Sequence, residues 1–189
     1  EQNKNPFSLI ADFEGDIENL FNVKIDDRLP IVPLRNMVLF PGVVIPVVIE
    51  RQFSLNAIKW AKDNDSYIGV ACQKNGAIDT PSANQIYKTG TVAKVMRILD
   101  TVLLQGFCRF RIEKLSQTEP YYLAEVKRLR ETKIDIKDNE FLALVDACRD
   151  LTVRLFKLNT GGRDDAAFAL KNISNAIFLV NFICSNVNA

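Results

Sequence analysis

The chain has no histidine among its 189 residues. This removes the imidazole base of Ser-His and Cys-His pairs, the commonest neutral metal ligand, and the side chain best placed to move protons near neutral pH. Cysteine is scarce as well: Cys72, Cys108, Cys148 and Cys184 are widely spaced and form no C-x-x-C pair, so a zinc or dithiol motif is missing. Each lies in or beside an apolar run, which predicts four reduced, buried thiols in a cytoplasmic protein rather than disulfides. Only 8 glycines are present, and none belongs to a G-x-x-x-x-G-K-[ST] or G-x-G-x-x-G phosphate turn. Long apolar runs are missing too. Residues 37–49 are broken by Pro41-Gly42 and Pro46, and 176–184 by Asn181, both far short of the roughly 20 residues that span a bilayer. No signal peptide opens the chain, and its start at Glu1 without an initiator Met fits a piece of something larger. Excess charge of one sign is also lacking: 24 Lys plus Arg face 23 Asp plus Glu. That balance excludes a strongly polyanion-seeking protein as a global description. The paired carboxylates Asp63 and Asp65, or Asp164 and Asp165, sit where helix capping and chain breaking explain them. No catalytic residue, metal site or cofactor is expected in this chain.

What is present falls into three parts. Residues 1–28 carry 3 basic and 7 acidic side chains, 29–130 carry 14 and 8, and 131–189 carry 7 and 8. In the first part Phe13, Ile17, Leu20 and Phe21 follow a helical spacing that is marginal alone, predicting an arm that orders only against a partner surface. From Leu29 to Leu129 the texture is β, with short apolar runs at 29–34, 43–49, 67–73, 91–99, 102–112 and 121–129 punctuated by Pro and Gly. Pro30, Pro33, Pro41 and Pro46 fit an irregular, partly open barrel better than a flat sheet. One helix interrupts the strands, with Ser54 as its expected cap and Asp63-Asn64-Asp65 as its stop. Beyond Ile136 the period becomes 3.6. Phe141, Leu144, Val145, Cys148, Leu151, Thr152, Leu155 and Leu158 predict one long helix, ended by Gly161-Gly162. Asp164 is placed to cap a second helix, and Ala176 to Asn186 reads as a third. It has Ile177, Val180 and Cys184 on one side and apolar residues around the rest, as in the beginning of a bundle. The expected fold class is α+β: a β module at 29–130 and a helical subdomain at 131–189.

The segment Leu29-Pro30-Ile31-Val32-Pro33-Leu34-Arg35-Asn36-Met37-Val38-Leu39-Phe40-Pro41-Gly42-Val43-Val44-Ile45-Pro46 resembles the opening of the N-terminal substrate-binding region of Lon, the ATP-dependent AAA+ serine protease family. Ile68 to Lys74 is similar to that family's central strand. Tyr87-Lys88-Thr89-Gly90-Thr91-Val92-Ala93 and Gly106-Phe107-Cys108-Arg109-Phe110-Arg111-Ile112 match two further family stretches, and 166–173 and 178–183 its helical segment less specifically. The resemblance implies a PUA-like module followed by helices, carried in six copies on a hexameric ATPase ring. The implied task is capture of unfolded or tagged proteins, with ATP, Mg and the Ser-Lys chemistry in other domains. Three departures stand out. Asp100-Thr101 is poor chemistry for a tight hairpin, since β-branched Thr resists positive φ, so residues are expected to be missing between them. Gly161-Gly162 and Asn175-Ala176 replace proline-containing stretches.

A domain that grips many unrelated chains needs exposed apolar surface and sheet-edge backbone, with weak affinity multiplied by several copies, rather than one deep pocket. Met37, Val38, Phe40, Pro41 and Val43 are the candidate client contacts, although Val38 and Phe40 also suit a plug at the barrel end. Lys94, Arg97, Arg109 and Arg111 form a basic group that reads either as a solvated sheet face or as a weak DNA contact, since PUA-like modules and Lon members can bind nucleic acid. A stand-alone adaptor or a nucleic-acid-binding module is the alternative reading.

Overall fold

The computed structural model describes residues 20–130, 135, 137–159 and 170–186. Its elements run β1 (Arg28–Leu34), β2 (Val44–Val47), α1 (Gln52–Asp63), β3 (Ile68–Cys72), β4 (Thr89–Ile98), β5 (Val102–Gln117), β6 (Tyr122–Arg128), α2 (Asn139–Asn159) and α3 (Ala176–Asn186). The fold is α+β, and all six apolar runs in the β region become strands.

The barrel follows from how β1 and β6 are shared. β1 runs parallel to β3 over Ile31 to Leu34 and antiparallel to β6 over Arg28 to Ile31. β6 returns to β5, which closes β1, β3, β4, β5 and β6 into a ring. β2 takes the edge of β5 at Val102 to Gln105, while β6 takes the same strand from Phe110 onward. The seam between β2 and the second half of β1 therefore stays open. Register shifts in β4 and β5 bend both long strands around the ring. β1 is apolar at every position from Leu29 to Leu34 because both its faces are buried. Leu29 and Ile31 pack with Phe110 and Tyr122, while Val32 and Leu34 pack in the cluster that holds Ala57, Ile58 and Ala61 of α1.

The prolines sit where a missing N–H costs nothing. Asp27 accepts from Val126, so the odd positions of β1 face β6 and Pro30 faces the other way, one residue before pairing with β3 begins at Ile31. Leu34 accepts from Gln73, so Pro33 points away from β3 toward the open seam. Val43 accepts from Gly106, so Pro46 faces away from β5. An apolar strand with two prolines can thus lie inside a sheet.

Several expectations change. α1 starts after Arg51, whose extended backbone makes it the N-cap without a side-chain bond, while Ser54 lies buried inside the first turn with its hydroxyl unpartnered. A cap must precede the turn, and the chain turns three residues earlier than Ser54 implied. The β4–β5 hairpin needs no further residues between Asp100 and Thr101. Ile98 pairs with Val102 and Leu99 N–H donates to the Thr101 carbonyl at 2.9 Å, giving a three-residue loop. Neither Asp100 nor Thr101 takes positive φ, which among described non-glycine residues belongs to Asn36 and Asp65. Of the thiols, Cys108 is buried and Cys72 half-buried, but Cys148 and Cys184 are exposed. In α3 the buried side is Phe178, Leu179, Asn181 and Phe182, with Val180 and Cys184 outward. Among the described side chains of α2, Val145, Thr152 and Val153 are buried, and Leu144, Cys148, Leu151, Leu155 and Leu158 are exposed. The expected break at Gly161-Gly162, the cap at Asp164 and the arm residues Phe13 and Ile17 lie outside the described residues.

The end of the arm docks on its own chain rather than awaiting a partner. Leu20 and Phe21 are buried, and the Arg128 guanidinium donates to the carbonyls of Phe21 and Val23. Replacing Arg128 with Ala leaves those carbonyls without their donor and is expected to cost about 1–3 kcal/mol. Denaturant titration should show the loss, and amide exchange should accelerate first at residues 20–27.

Candidate functional site

The connection from β1 to β2 is divided by burial. Asn36, with φ of 51°, turns the chain out of β1. Met37 and Val38 then stand 40% and 49% exposed, while Leu39 is buried, Phe40 is half-buried against the core, and Pro41, Gly42 and Val43 are buried. Met37 and Val38 are thus available to a client and Phe40 only partly. Pro41 and Val43 are not available, because both serve the interior, contrary to their selection as contacts. The plug reading holds for Phe40 but not for Val38.

Three contacts fix this division. Gly42 N–H donates to the Gly106 carbonyl and Gly106 N–H to the Val43 carbonyl, both at 2.9 Å, which staples the connection to β5. A Cβ on Gly106 would collide with the Phe40 carbonyl, and Gly42 has φ of 84° with the Phe178 ring 2.9 Å from where its Cβ would lie. Only glycine satisfies both positions. From α3, the buried Asn181 donates Nδ2–H to the Pro41 carbonyl at 3.0 Å and accepts from Arg109 at 3.0 Å. The Thr91 hydroxyl donates to the Leu39 carbonyl at 2.6 Å.

Beside Met37 the open seam forms a cleft of about 280 Å³, lined by Pro33, Leu34, Met37, Val47, Val48 and Ile49, with Arg35, Glu50, Arg51 and Ser54 among its polar lining. Pro33 and Pro46 stand on its two strand edges. Arg51 braces one wall: it donates to the Pro33 carbonyl and to Gln73, and its guanidinium lies 5.0 Å from the Phe53 ring, which stacks on Tyr122 at 4.5 Å. Burial, then the neighbouring Arg35, lowers the Arg51 pKa from its ordinary value, and burial raises that of Tyr122. Arg35 pairs with the exposed Asp79, so the cleft mouth has no strong net charge. Of the lining, Val48 is 64% exposed, and outside the cleft Leu99 is 65% exposed and Ile98 also exposed. Val47, Val102 and Ile98 occupy one row across β2, β5 and β4, so these residues share one end of the sheet. The sequence offered a signal for them in the apolar ends of both runs; strand pairing sets Ile98 in one row with Val47, and Val48 lines the same cleft as Met37.

The four cations do not form one patch. Lys94 is paired with Asp65 at 3.0 Å and lies near the Tyr67 ring, Arg109 is held under α3 by Asn181, and Arg97 stands near the hairpin tip. Arg111 is opposite both Thr89 and Lys127. Arg97 and Arg109 are some six ladder positions apart, about 20 Å at the usual strand rise. Among the described residues no group of three His, Cys, Asp or Glu could hold a metal ion, and no helix is long and apolar enough to cross a membrane.

Replacing Asn181 with Leu removes the donor to Pro41 and the acceptor for Arg109. Stability should fall by about 1–3 kcal/mol. Hydrogen exchange should accelerate at residues 37–43 well before it does in β3.

Comparison with known proteins places this geometry. Residues 28–189 match the family model described as the ATP-dependent protease La (LON) substrate-binding domain. The chain is 42% identical over 170 residues to the Lon protease of Parabacteroides distasonis, covering 87% of the chain and 21% of that protein. It is 41% identical over 179 residues to the Lon protease of Flavobacterium johnsoniae, covering 92% and 22%. It therefore spans about a fifth of the length of these relatives. The N-terminal domain of Mycobacterium avium complex Lon protease shares the fold, with a TM-score of 0.62 at 14% identity, covering 82% of this chain and 80% of that one.

Proposed function

The chain belongs to the family of Lon substrate-binding domains, and from that premise we propose that it captures unfolded or tagged polypeptides for an ATP-dependent AAA+ serine protease. In this reading ATP, Mg and the peptidase residues belong to other domains of a hexameric, cytoplasmic parent, and this chain contributes binding alone. The observation that carries it is the exposure of Met37 and Val38 directly beside Leu39, Pro41 and Val43, which are fully interior. Apolar side chains held outward by a rigid frame are a contact surface, not a packing defect.

The contact is made by side chains. Pro33 and Pro46 withhold N–H groups from the two strand edges at the seam, so a client does not add there as a further strand. Its apolar residues instead meet Met37 and Val38 and the Val48, Ile98 and Leu99 rim, with the cleft between. Each such contact is weak, and six copies on one ring multiply it. The dispersed cations give the nucleic-acid reading no comparable support.

Met37→Asp combined with Val48→Asp places charge on both sides of the cleft. Affinity for a reduced, alkylated model protein, read by fluorescence anisotropy, should fall about tenfold, equivalent to about 1.4 kcal/mol. The melting temperature should stay within a few degrees of the parent. Unchanged affinity in a folded variant would remove this surface from the account.

A further inference from the structure

The loop that leaves β3 carries a chemically distinctive pair. Among the chain's asparagines only Asn75 precedes a glycine. Gly76 has no Cβ to shield its nitrogen, and its N–H donates to no described residue. The glycine packs so closely on Asn36 that a Cβ would come within 2.7 Å of Asn36 Oδ1. Asn75 is exposed, and its side-chain Oδ1 accepts from the Ala77 N–H at 3.0 Å. That bond closes a ring through Cγ and the Gly76 nitrogen, which turns Cγ back toward the nitrogen. Attack of this nitrogen on Cγ puts negative charge on Oδ1, where the Ala77 N–H already points. The Asn75 Nδ2 is held by no described acceptor, so nothing retains it as the leaving group.

We propose that Asn75 is a site of self-modification, converted without an enzyme to aspartate and isoaspartate. Hydroxide takes the Gly76 amide proton, the nitrogen bonds to Cγ, and the Cγ–Nδ2 bond breaks as ammonia leaves with a proton from water. The succinimide so formed takes up one water at either of its carbonyls. Opening at the former side-chain carbonyl returns an ordinary chain with aspartate. Opening at the main-chain carbonyl leaves isoaspartate, whose link to Gly76 runs through the old side chain. Each product has lost ammonia, gained water and acquired a negative charge.

Isoaspartate strikes the brace of the cleft. The main-chain carbonyl of Asn75 accepts from Gln73 Nε2 at 3.0 Å, beside the Ile78 carbonyl at 2.9 Å. Gln73 is buried and its Oε1 accepts from Arg51, which also donates to the Pro33 carbonyl on the cleft wall. In isoaspartate that main-chain carbonyl is a free carboxylate beside a chain one methylene longer, so Gln73 loses its seat and Arg51 the support of Gln73. The modification stands on the loop alone, whereas its effect on clients rests on the client-binding reading.

The whole folded chain, held for days at neutral and at mildly alkaline pH and digested with trypsin in mild acid, tests this by mass spectrometry. Cleavage after Lys74 and Lys88 frees residues 75–88 as one peptide, and isoaspartyl methyltransferase labels the isoaspartate. Conversion should appear at Asn75 before any other asparagine and rise about tenfold per unit of pH. It should fall at least tenfold in Gly76→Ala and in Asn75→Gln, whose longer side chain disfavours the ring; since Gly76→Ala crowds Asn36, Asn75→Gln is the deciding variant. The aged parent should bind an unfolded client at least threefold more weakly than fresh protein, with faster amide exchange at residues 73–79, while aged Asn75→Gln binds as the fresh parent does. An Asn75 that stays intact in the folded chain while the urea-unfolded chain converts it overturns the proposal, as does earlier conversion at another asparagine. Conversion with unchanged affinity overturns the link to the cleft. A fresh parent that binds no client counts against the client-binding reading alone, because the modification is still read by mass.

Discussion

The structure depends on one close approach, that of the β1–β2 connection to β5 at Gly42 and Gly106. The two backbones exchange hydrogen bonds at 2.9 Å, and neither glycine has room for a Cβ. Because the connection is stapled there, Leu39 and Val43 go inward on either side of Phe40, and Met37 and Val38 have nowhere to go but out. Burial of the first pair fixes the exposure of the second. The rigidity of a packed interior is thereby lent to a surface that would otherwise collapse onto itself.

The helical segment takes part in that arrangement. Phe178 lies against Gly42, and Asn181 ties Pro41 to Arg109, so α3 reaches the same connection from the other side. The arm end arrives there as well, with Leu20 3.9 Å from the Cβ position of Gly42. Arm, β module and helices, which differ in charge and periodicity along the sequence, thus converge on one loop. A buried Asn with both its donor and its acceptor satisfied contributes specificity as well as energy, because a shifted α3 would have to pair both groups anew.

Strands were legible because β-branched and apolar runs between Pro and Gly leave few alternatives, and all six appear, with β5 running to Gln117, five residues past its expected end. The prolines pointed correctly to an open, irregular barrel. What could not be read was which side each apolar residue faces where regular periodicity stops. Pro41 and Val43 looked as available as Met37, since nothing local distinguishes a residue turned inward by a staple to a strand some sixty positions away. The same limit applies to Arg109, whose place under α3 is a tertiary fact, and to the cleft, whose two walls come from strands that do not pair with each other. Ser54 misled because a hydroxyl near a helix start is the usual cap, and here the chain turned earlier. The α2 stripe was visible as a helix, but a 3.6-residue pattern cannot say which of two apolar flanks the domain itself consumes.

The central claim is that a stapled loop presents Met37 and Val38, with the Val48 and Leu99 rim, to unfolded chains. Hydrogen–deuterium exchange with and without a saturating unfolded protein tests it most directly. The account predicts that residues 39–43 are protected in both states and that added protection on binding is confined to 36–38, 47–49 and 98–101. Protection appearing instead across β4, β5 and β6 around Arg111 and Lys127, or an unprotected 39–43 segment in the free protein, would contradict it.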